Sequence, residues 1–328
     1  MSEAGLGITI SCYRGDVPLL RGCLASLREH LPDIPVCLIK HGVFDTSDVG
    51  RAYGVTTLEQ ADVHPELSRL SYGYGLTKMV AFWHAPFDRF IHVDPDTVVW
   101  GDPFQGLPVA DYDLIYNEPH EEITPAIQRD QYFDPEKVFP ALPDFGWRGR
   151  PYFNTGVFTA RRGLFDLEEY LALLRFGRDH PGAFFADQGP LNFMAFKGIA
   201  EGRIRARDWP FQIIVPVHTA EALAARFHFR RVVPQINPED RRIIHWAGPK
   251  PLMRRPMGFD APMTHYRLAH LARTRPLARL LGRSALLLEE IWTRVEMRYG
   301  GDPWRAAASK LRFWAKRARR ASAAEGAR

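Results

Sequence analysis

Two apolar runs flanking one amphipathic stretch open the chain, and that order restricts the fold more than anything after it. Residues 7–12 (Gly-Ile-Thr-Ile-Ser-Cys) read as a strand. Asp16 then stands at a helix N-cap position and Pro18 in the first turn, and Leu19, Leu20, Cys23, Leu24 and Leu27 recur at helical spacing before Pro32. Residues 35–39 (Pro-Val-Cys-Leu-Ile) form a second buried strand. A β-α-β opening predicts an α/β protein with a doubly wound parallel sheet and a ligand beyond the carboxyl ends of its strands. No G-x-G-x-x-G follows the first strand, which argues against a dinucleotide.

Residues 89–93 are a further short apolar strand, and it ends in Asp94-Pro95-Asp96. In extended backbone, residues i and i+2 project to the same side. Both carboxylates therefore leave the strand end together, and Pro95 stiffens the corner between them. Two like charges so close call for a cation, and a carboxylate-led oxygen site suits Mg²⁺ or Mn²⁺, which commonly complete their shell with substrate phosphates. Asp-Pro-Asp is also ordinary turn chemistry, so the spacing leaves a surface turn as an alternative.

Short strands are also expected over 55–58 and 113–117, with a helix over 76–85. Residues 119–150 are rich in proline, acids and aromatics without clean periodicity and read as an acceptor-side insertion. Residues 152–159 form a strand interrupted by Asn154-Thr155-Gly156, where a glycine permits close backbone approach. A helix from about 166 to 176 precedes Asp187, which opens another helix through 196 as its apparent N-cap. Residues 211–215 and 241–245 are late strands, the second ending in His245. A lone histidine on such a strand is more often a core residue than a ligand. From Met263 the pattern turns helical with repeated Leu and Arg, so two parts are expected, 1–252 and a helical, basic C-terminal extension over 253–328.

Composition bounds the rest. The 328 residues, 46% hydrophobic and 25% charged, suffice for a large core, and no run is long enough to span a bilayer. With no charged-then-apolar segment at the N-terminus, a cytoplasmic location is expected. Cys12, Cys23 and Cys37 have no close pairing and read as buried reduced thiols. The net charge of +5 comes from Arg305, Lys310, Arg312, Lys316, Arg317, Arg319 and Arg320, interleaved with Trp304, Leu311, Phe313 and Trp314. Such a segment fits an anionic membrane surface, which would make the protein peripheral on the inner face, better than it fits nucleic acid; a solvated charged tail is the alternative.

Five islands in fixed order resemble the retaining GT-A glycosyltransferases that include glycogenin and the bacterial lipopolysaccharide α-glycosyltransferases. They are the first strand with Tyr13, Leu76-Thr77-Lys78 running into residues 92–97, residues 153–156, residues 187–192, and His245-Trp-Ala-Gly-Pro-Lys-Pro251. The resemblance covers roughly residues 6 to 252 and implies a Rossmann-like, doubly wound mixed sheet of GT-A type. It implies that Asp94, Asp96 and His245 hold Mn²⁺ (or Mg²⁺), which clamps the diphosphate of a UDP-sugar donor. Lys78 and Lys250 would neutralise donor phosphate or sugar oxygens, with Gly248 in the loop before Lys250 and Tyr13 near the uracil. Asn154, Asp187 and Gln188 would line the sugar and face the reacting carbon. Two departures from the family's pattern stand out. The segment after His245 is one residue shorter before the lysine and carries Leu252 where the family has Trp, and Phe184-Phe185-Ala186 replaces a further acid.

The implied activity is hexosyl transfer from UDP to a hydroxyl, with retention, on a glycan or lipid-linked glycan acceptor such as lipopolysaccharide or capsule. An inverting transferase would need a carboxylate base, for which Glu118, Glu121 and Glu122 qualify by position. A non-catalytic nucleotide-sugar or membrane-surface binder is the alternative from another class.

Overall fold

The computed structural model describes residues 5–71, 76–117, 123–227, 229–230, 233–234, 240–254, 256 and 258–299. The basic segment over 305–320 and Glu118, Glu121 and Glu122 lie outside the described residues.

A seven-stranded mixed sheet forms the centre. In chain order its strands are β1 (Leu6–Tyr13), β2 (Val36–His41), β3 (Val55–Leu58) and β4 (Arg89–Val93). After β5 (Thr97–Trp100), which leaves this sheet, come β6 (Leu114–Asn117), β7 (Asn154–Arg161) and β8 (Ala206–Asp208). The spatial order is β3-β2-β1-β4-β7-β6-β8. β1 runs parallel to both β2 and β4, as the β-α-β opening requires, whereas β7 is antiparallel to β4 and β6. A three-stranded sheet, β5-β12-β9, stands beside it, built with β9 (Gln212–Ile214) and β12 (Arg242–His245). β10 (Phe229–Arg230) and β11 (Val233–Pro234) make a separate ribbon.

Alternation along β4 explains why both faces of the large sheet are covered. Ile91 and Val93 join a core with Leu19, Leu20 and Leu24 of the helix Val17–His30 and with Val98, Val99, Ile243 and Ile244 of the small sheet. Phe90 faces the other way, into a core with Phe82, Phe158, Tyr170 of the helix Leu167–Asp179 and Phe196 of the helix Gln188–Ala200. Strands buried on both faces need helices on both, so the sheet is doubly wound. Met263 and Tyr266 of the helix Ala261–Thr274 belong to the first core, and Met263 lies against Gly22 of the first helix. The three cysteines are buried and unpaired, in line with the expectation of reduced thiols.

One stretch holds more than its local pattern suggests. Residues 119–150 lack clean periodicity, yet they contain the helices Pro125–Gln131 and Pro135–Val138, each with Pro at N1 and a Thr or Asp side chain capping it. Phe133 and Trp147 from this stretch are buried in the second core, and the stacked Phe139 and Trp147 rings are 5.4 Å apart. Aromatic side chains reach far enough to fill a core without keeping a helical or strand period. Asp16 does occupy the N-cap position, but its carboxylate caps nothing.

Candidate active site

The acidic corner falls where the chain changes sheets. β4 ends at Val93, opposite Val157 of β7, and the Asp94 N–H donates to the Gly156 carbonyl at 2.8 Å. Three residues on from Asp94, β5 starts and pairs antiparallel with β12, a register that sets Thr97 opposite His245. The Trp246 N–H closes the corner on the Asp96 carbonyl at 3.1 Å. Backbone ladders, not loops, thus carry His245 to a carboxylate pair some 150 positions earlier in the chain.

One ligand atom each from Asp94, Asp96 and His245 falls within 4.8 Å of the others. His245 Nε2 is 3.8 Å from Asp94 Oδ2 and 3.6 Å from Asp96 Oδ1. The ring approaches this closely because residue 156 is glycine: a Cβ there would lie 2.7 Å from His245 Nδ1 and nearer still to Cε1. Burial keeps the imidazole below its ordinary pKa although both aspartates pull the other way, so it is neutral near pH 7. Two carboxylates with one neutral imidazole nitrogen fit the ligand preferences of Mn²⁺ or Mg²⁺.

His245 is oriented by a relay that runs in one direction. Its Nδ1–H donates to Gln212 Oε1 at 2.8 Å, which leaves Nε2 bare toward the aspartates. The Gln212 amide donates to Asn154 Oδ1 at 3.2 Å, the Asn154 amide to Gln188 Oε1 at 3.1 Å, and the Gln188 amide to the Gln131 carbonyl at 3.1 Å. Asn154 Oδ1 also accepts the Gly156 N–H at 2.9 Å. Each amide has one orientation that satisfies both neighbours, so every member fixes the next.

Lys78 sits beneath the corner, almost wholly buried. Its ammonium is 2.8 Å from Asp94 Oδ1, 3.1 Å from Asp187 Oδ2 and 3.1 Å from the Thr155 carbonyl. Burial alone would lower its pKa, but Asp187 and Asp94 hold it above the ordinary lysine value. Burial would likewise raise the Asp94 carboxyl, but Lys78 and the His92 hydrogen bond hold it well below the usual carboxylate range. Asp187, which the sequence set at a helix N-cap, makes no capping bond; its carboxylate turns to Lys78 and accepts a short hydrogen bond from Thr155. The turn passes through Ala186, whose φ of 40° is the one left-handed non-glycine among the described residues.

Lys250 contacts Asp96 closely from the solvent side, across a loop that turns at Gly248 with φ of 85°. The missing residue in that loop therefore leaves the lysine within reach of the corner. Tyr13 ends β1 and is 44% exposed. Burial and then Asp16 raise its pKa, while Lys250 lowers it.

The residues nominated for metal, donor and sugar thus fall in one neighbourhood, whereas Glu118, Glu121 and Glu122 lie outside the described residues, and sequence reasoning overlooked several others at the site. Gln212 opens an apolar strand; a polar residue in such a strand was the available signal. His92, quoted in its island without a role, bridges Thr9 Oγ1 at 3.3 Å and Asp94 Oδ1 at 3.1 Å, and burial holds it below its usual pKa. Asp16 is a third acid beside the pair: burial, then Asp96, push it up to about 7.

No protein-family model and no curated protein sequence matches the chain, but solved structures do. The galactosyltransferase LgtC, in complex with donor and acceptor sugar analogs, superposes with a TM-score of 0.53 at 17% identity, over 80% of this chain and 95% of that one. The bifunctional glycosyltransferase WbbM gives 0.53 at 13% identity, over 86% of this chain and 52% of that one. The glycosyltransferase GlyE of Streptococcus pneumoniae gives 0.51 at 14% identity, over 86% of this chain and 64% of that one. Such low identities speak for the fold, and the chain has the GT-A fold of these glycosyltransferases.

Proposed function

We propose that this chain is a metal-dependent glycosyltransferase that moves a hexose from a UDP-sugar to a hydroxyl on a glycan or lipid-linked glycan, with retention. The observation that carries this reading is the convergence of Asp94 and Asp96, in the corner between β4 and β5, with His245 at the end of β12, the His245 tautomer being set for a ligand role. The galactosyltransferase LgtC, solved with donor and acceptor sugar analogs, supports the substrate class, and an active-site Gln-to-Glu variant of LgtC superposes as well. In this reading residues 1–252 handle the donor and 253–328 form a helical extension.

The three ligands would hold Mn²⁺ or Mg²⁺, which supplies Lewis-acid neutralisation of the diphosphate leaving group. Lys250, a third exposed, is able to swing from Asp96 to a donor phosphate, while buried Lys78 keeps Asp94 and Asp187 ionised and in place. Tyr13 flanks the base. Asn154, Gln188 and Asp187 line the sugar. Asp187 is clasped by Lys78 and Thr155, which suits it to stabilise an oxocarbenium-like state rather than to attack as a free nucleophile. Retention then follows from front-face attack: the acceptor oxygen bonds to the anomeric carbon, the bond to the diphosphate breaks, and the hydroxyl proton passes to the departing phosphate.

An anionic membrane surface fits as partner. Among the described residues no helix is long and apolar enough to cross a membrane, yet Leu277, Leu288 and Trp292 lie exposed on the last two helices and Leu280 and Leu281 in the turn between them.

The test is UDP release and product formation across a panel of UDP-sugars with MnCl₂. We expect one preferred donor, at least a hundredfold loss in Asp94→Ala and Asp96→Ala, and an α-configured product by NMR. Unchanged turnover in both variants would remove the metal reading, and a β product would replace retention by inversion.

A further inference from the structure

Glu290 lies on the helix Arg283–Tyr299 with 2% exposure, and nothing in its sequence neighbourhood links it to the site. Its Oε1 accepts the Met253 N–H at 2.9 Å and its Oε2 the Arg254 N–H at 3.2 Å. Arg267, also buried, lies 2.7 Å from Oε1 and supplies the counter-charge. Arg267 reaches Glu289 at 2.7 Å, Glu289 contacts Arg21, and Arg21 lies 2.6 Å from Asp48. A ladder of alternating charge thus ties the last long helix to the first one.

The helices Ala261–Thr274 and Arg283–Tyr299 are already joined by Arg267 to Glu289 and Glu290 and by Leu271 packing with Ala285 and Leu286. The two amide bonds do something else: they seize successive backbone N–H groups three and four residues beyond Lys250. At its other end this segment is pinned by the Trp246 N–H on the Asp96 carbonyl and by the Trp246 indole N–H on the Phe259 carbonyl, at 3.1 and 2.8 Å. Between the pins lie the left-handed Gly248 and Lys250, whose carbonyl accepts the Leu252 N–H at 2.9 Å. Charge-assisted bonds to two amides are among the stronger anchors a loop can have. A flexible lysine side chain finds its partner only if its backbone is held at the right height.

We propose that Glu290 is a positioning residue for the donor site: by binding the Met253 and Arg254 amides it sets the backbone from which Lys250 reaches Asp96 and the donor diphosphate. The nature of the ligand rests on the function proposed above; the anchor does not.

Full-length protein in MnCl₂ is titrated with UDP, and amide exchange is followed by mass spectrometry over residues 246–254. Glu290→Gln tests the charge, and the pair Glu290→Leu with Arg267→Met removes both charges at similar volume, which avoids an uncompensated buried arginine. Both are expected to bind UDP about tenfold more weakly and to exchange faster over 246–254, with the melting temperature of the paired variant close to wild type. On a Lys250→Ala background the paired variant should cause no further loss of UDP affinity, because anchor and lysine act as one unit; a role confined to helix packing would add its own loss. Wild-type UDP binding and exchange in the paired variant would overturn the proposal. Should the unmodified protein fail to bind UDP with MnCl₂, the donor reading falls, and the exchange comparison alone decides: faster exchange over 246–254 keeps the anchor, and unchanged exchange removes it.

Discussion

Gly156→Ala puts the smallest possible probe into the ligand cluster. The added methyl would sit 2.7 Å from His245 Nδ1 and 3.0 Å from Asn154 Oδ1, with Cε1 closer than either. Real Cβ contacts do not tolerate this, so either β7 or the imidazole must shift. β7 is held by ladders to β4 and β6 on both sides, whereas the ring is held by one side-chain hydrogen bond to Gln212. The ring therefore yields, Nε2 leaves the aspartates, and the Nδ1–H loses its partner. Overpacking costs roughly 1–3 kcal/mol and a stranded buried donor about as much. We expect the melting temperature to fall by several degrees and Mn²⁺ affinity to drop by roughly one to two orders of magnitude, as for a disturbed outer-shell partner. Calorimetric Mn²⁺ titration of the folded variant gives the second figure. Gly156→Ala combined with His245→Ala should regain much of the melting temperature without regaining Mn²⁺ affinity. Wild-type Mn²⁺ binding by Gly156→Ala alone would refute the geometry of the trio.

Gln212→Leu removes the Nδ1 acceptor while keeping bulk, and should weaken Mn²⁺ binding about tenfold or more, though less than His245→Ala does; equal affinity in calorimetry would show that the relay does not orient the ring. Lys78→Met strands Asp94 and Asp187 in the interior and should lower stability by about 3–5 kcal/mol in denaturant titration, with part of the loss recovered on adding MnCl₂. Asp16 has a folded pKa near 7 against an ordinary value of 3.8, so the unfolded chain gives up its proton first. Stability is then lost as pH rises between those values and stays lower above them. Asp16→Asn should accordingly raise the melting temperature at pH 8 but leave it nearly unchanged at pH 4; an equal shift at both would contradict the assignment.

What could be read from the sequence followed from period and punctuation. The β-α-β opening, the strand ending at Asp94 and the helix after Asp187 are local patterns, and the resemblance of five islands joined them into a GT-A sheet. Pairing register is not local. Gln212 acquires its role only because β9 lies parallel to β12 with Ile214 beside His245, and nothing near residue 212 announces that. Asp16 and Asp187 each stand at an N-cap position without capping, for a related reason: Asp16 sits under the charge of Asp96, and Asp187 turns to a lysine more than a hundred residues earlier. The aromatic stretch before residue 150 misled because ring stacking fills space without a period. Glu290 was silent for the same reason as Gln212, since its partners are backbone amides whose position no side-chain pattern encodes.

The chain crosses from the large sheet to the small one within Asp94-Pro95-Asp96, so the two acids belong to different slabs. Asp94 is tethered to β7 and Asp96 to the strand bearing His245. The gap between the ligating atoms is therefore a measure of how the slabs lean against each other, and packing between them, far from any solvent, becomes a means of tuning grip on a cation. A substitution at Val98 or Ile244, invisible from the pocket, would be felt there as a change in affinity.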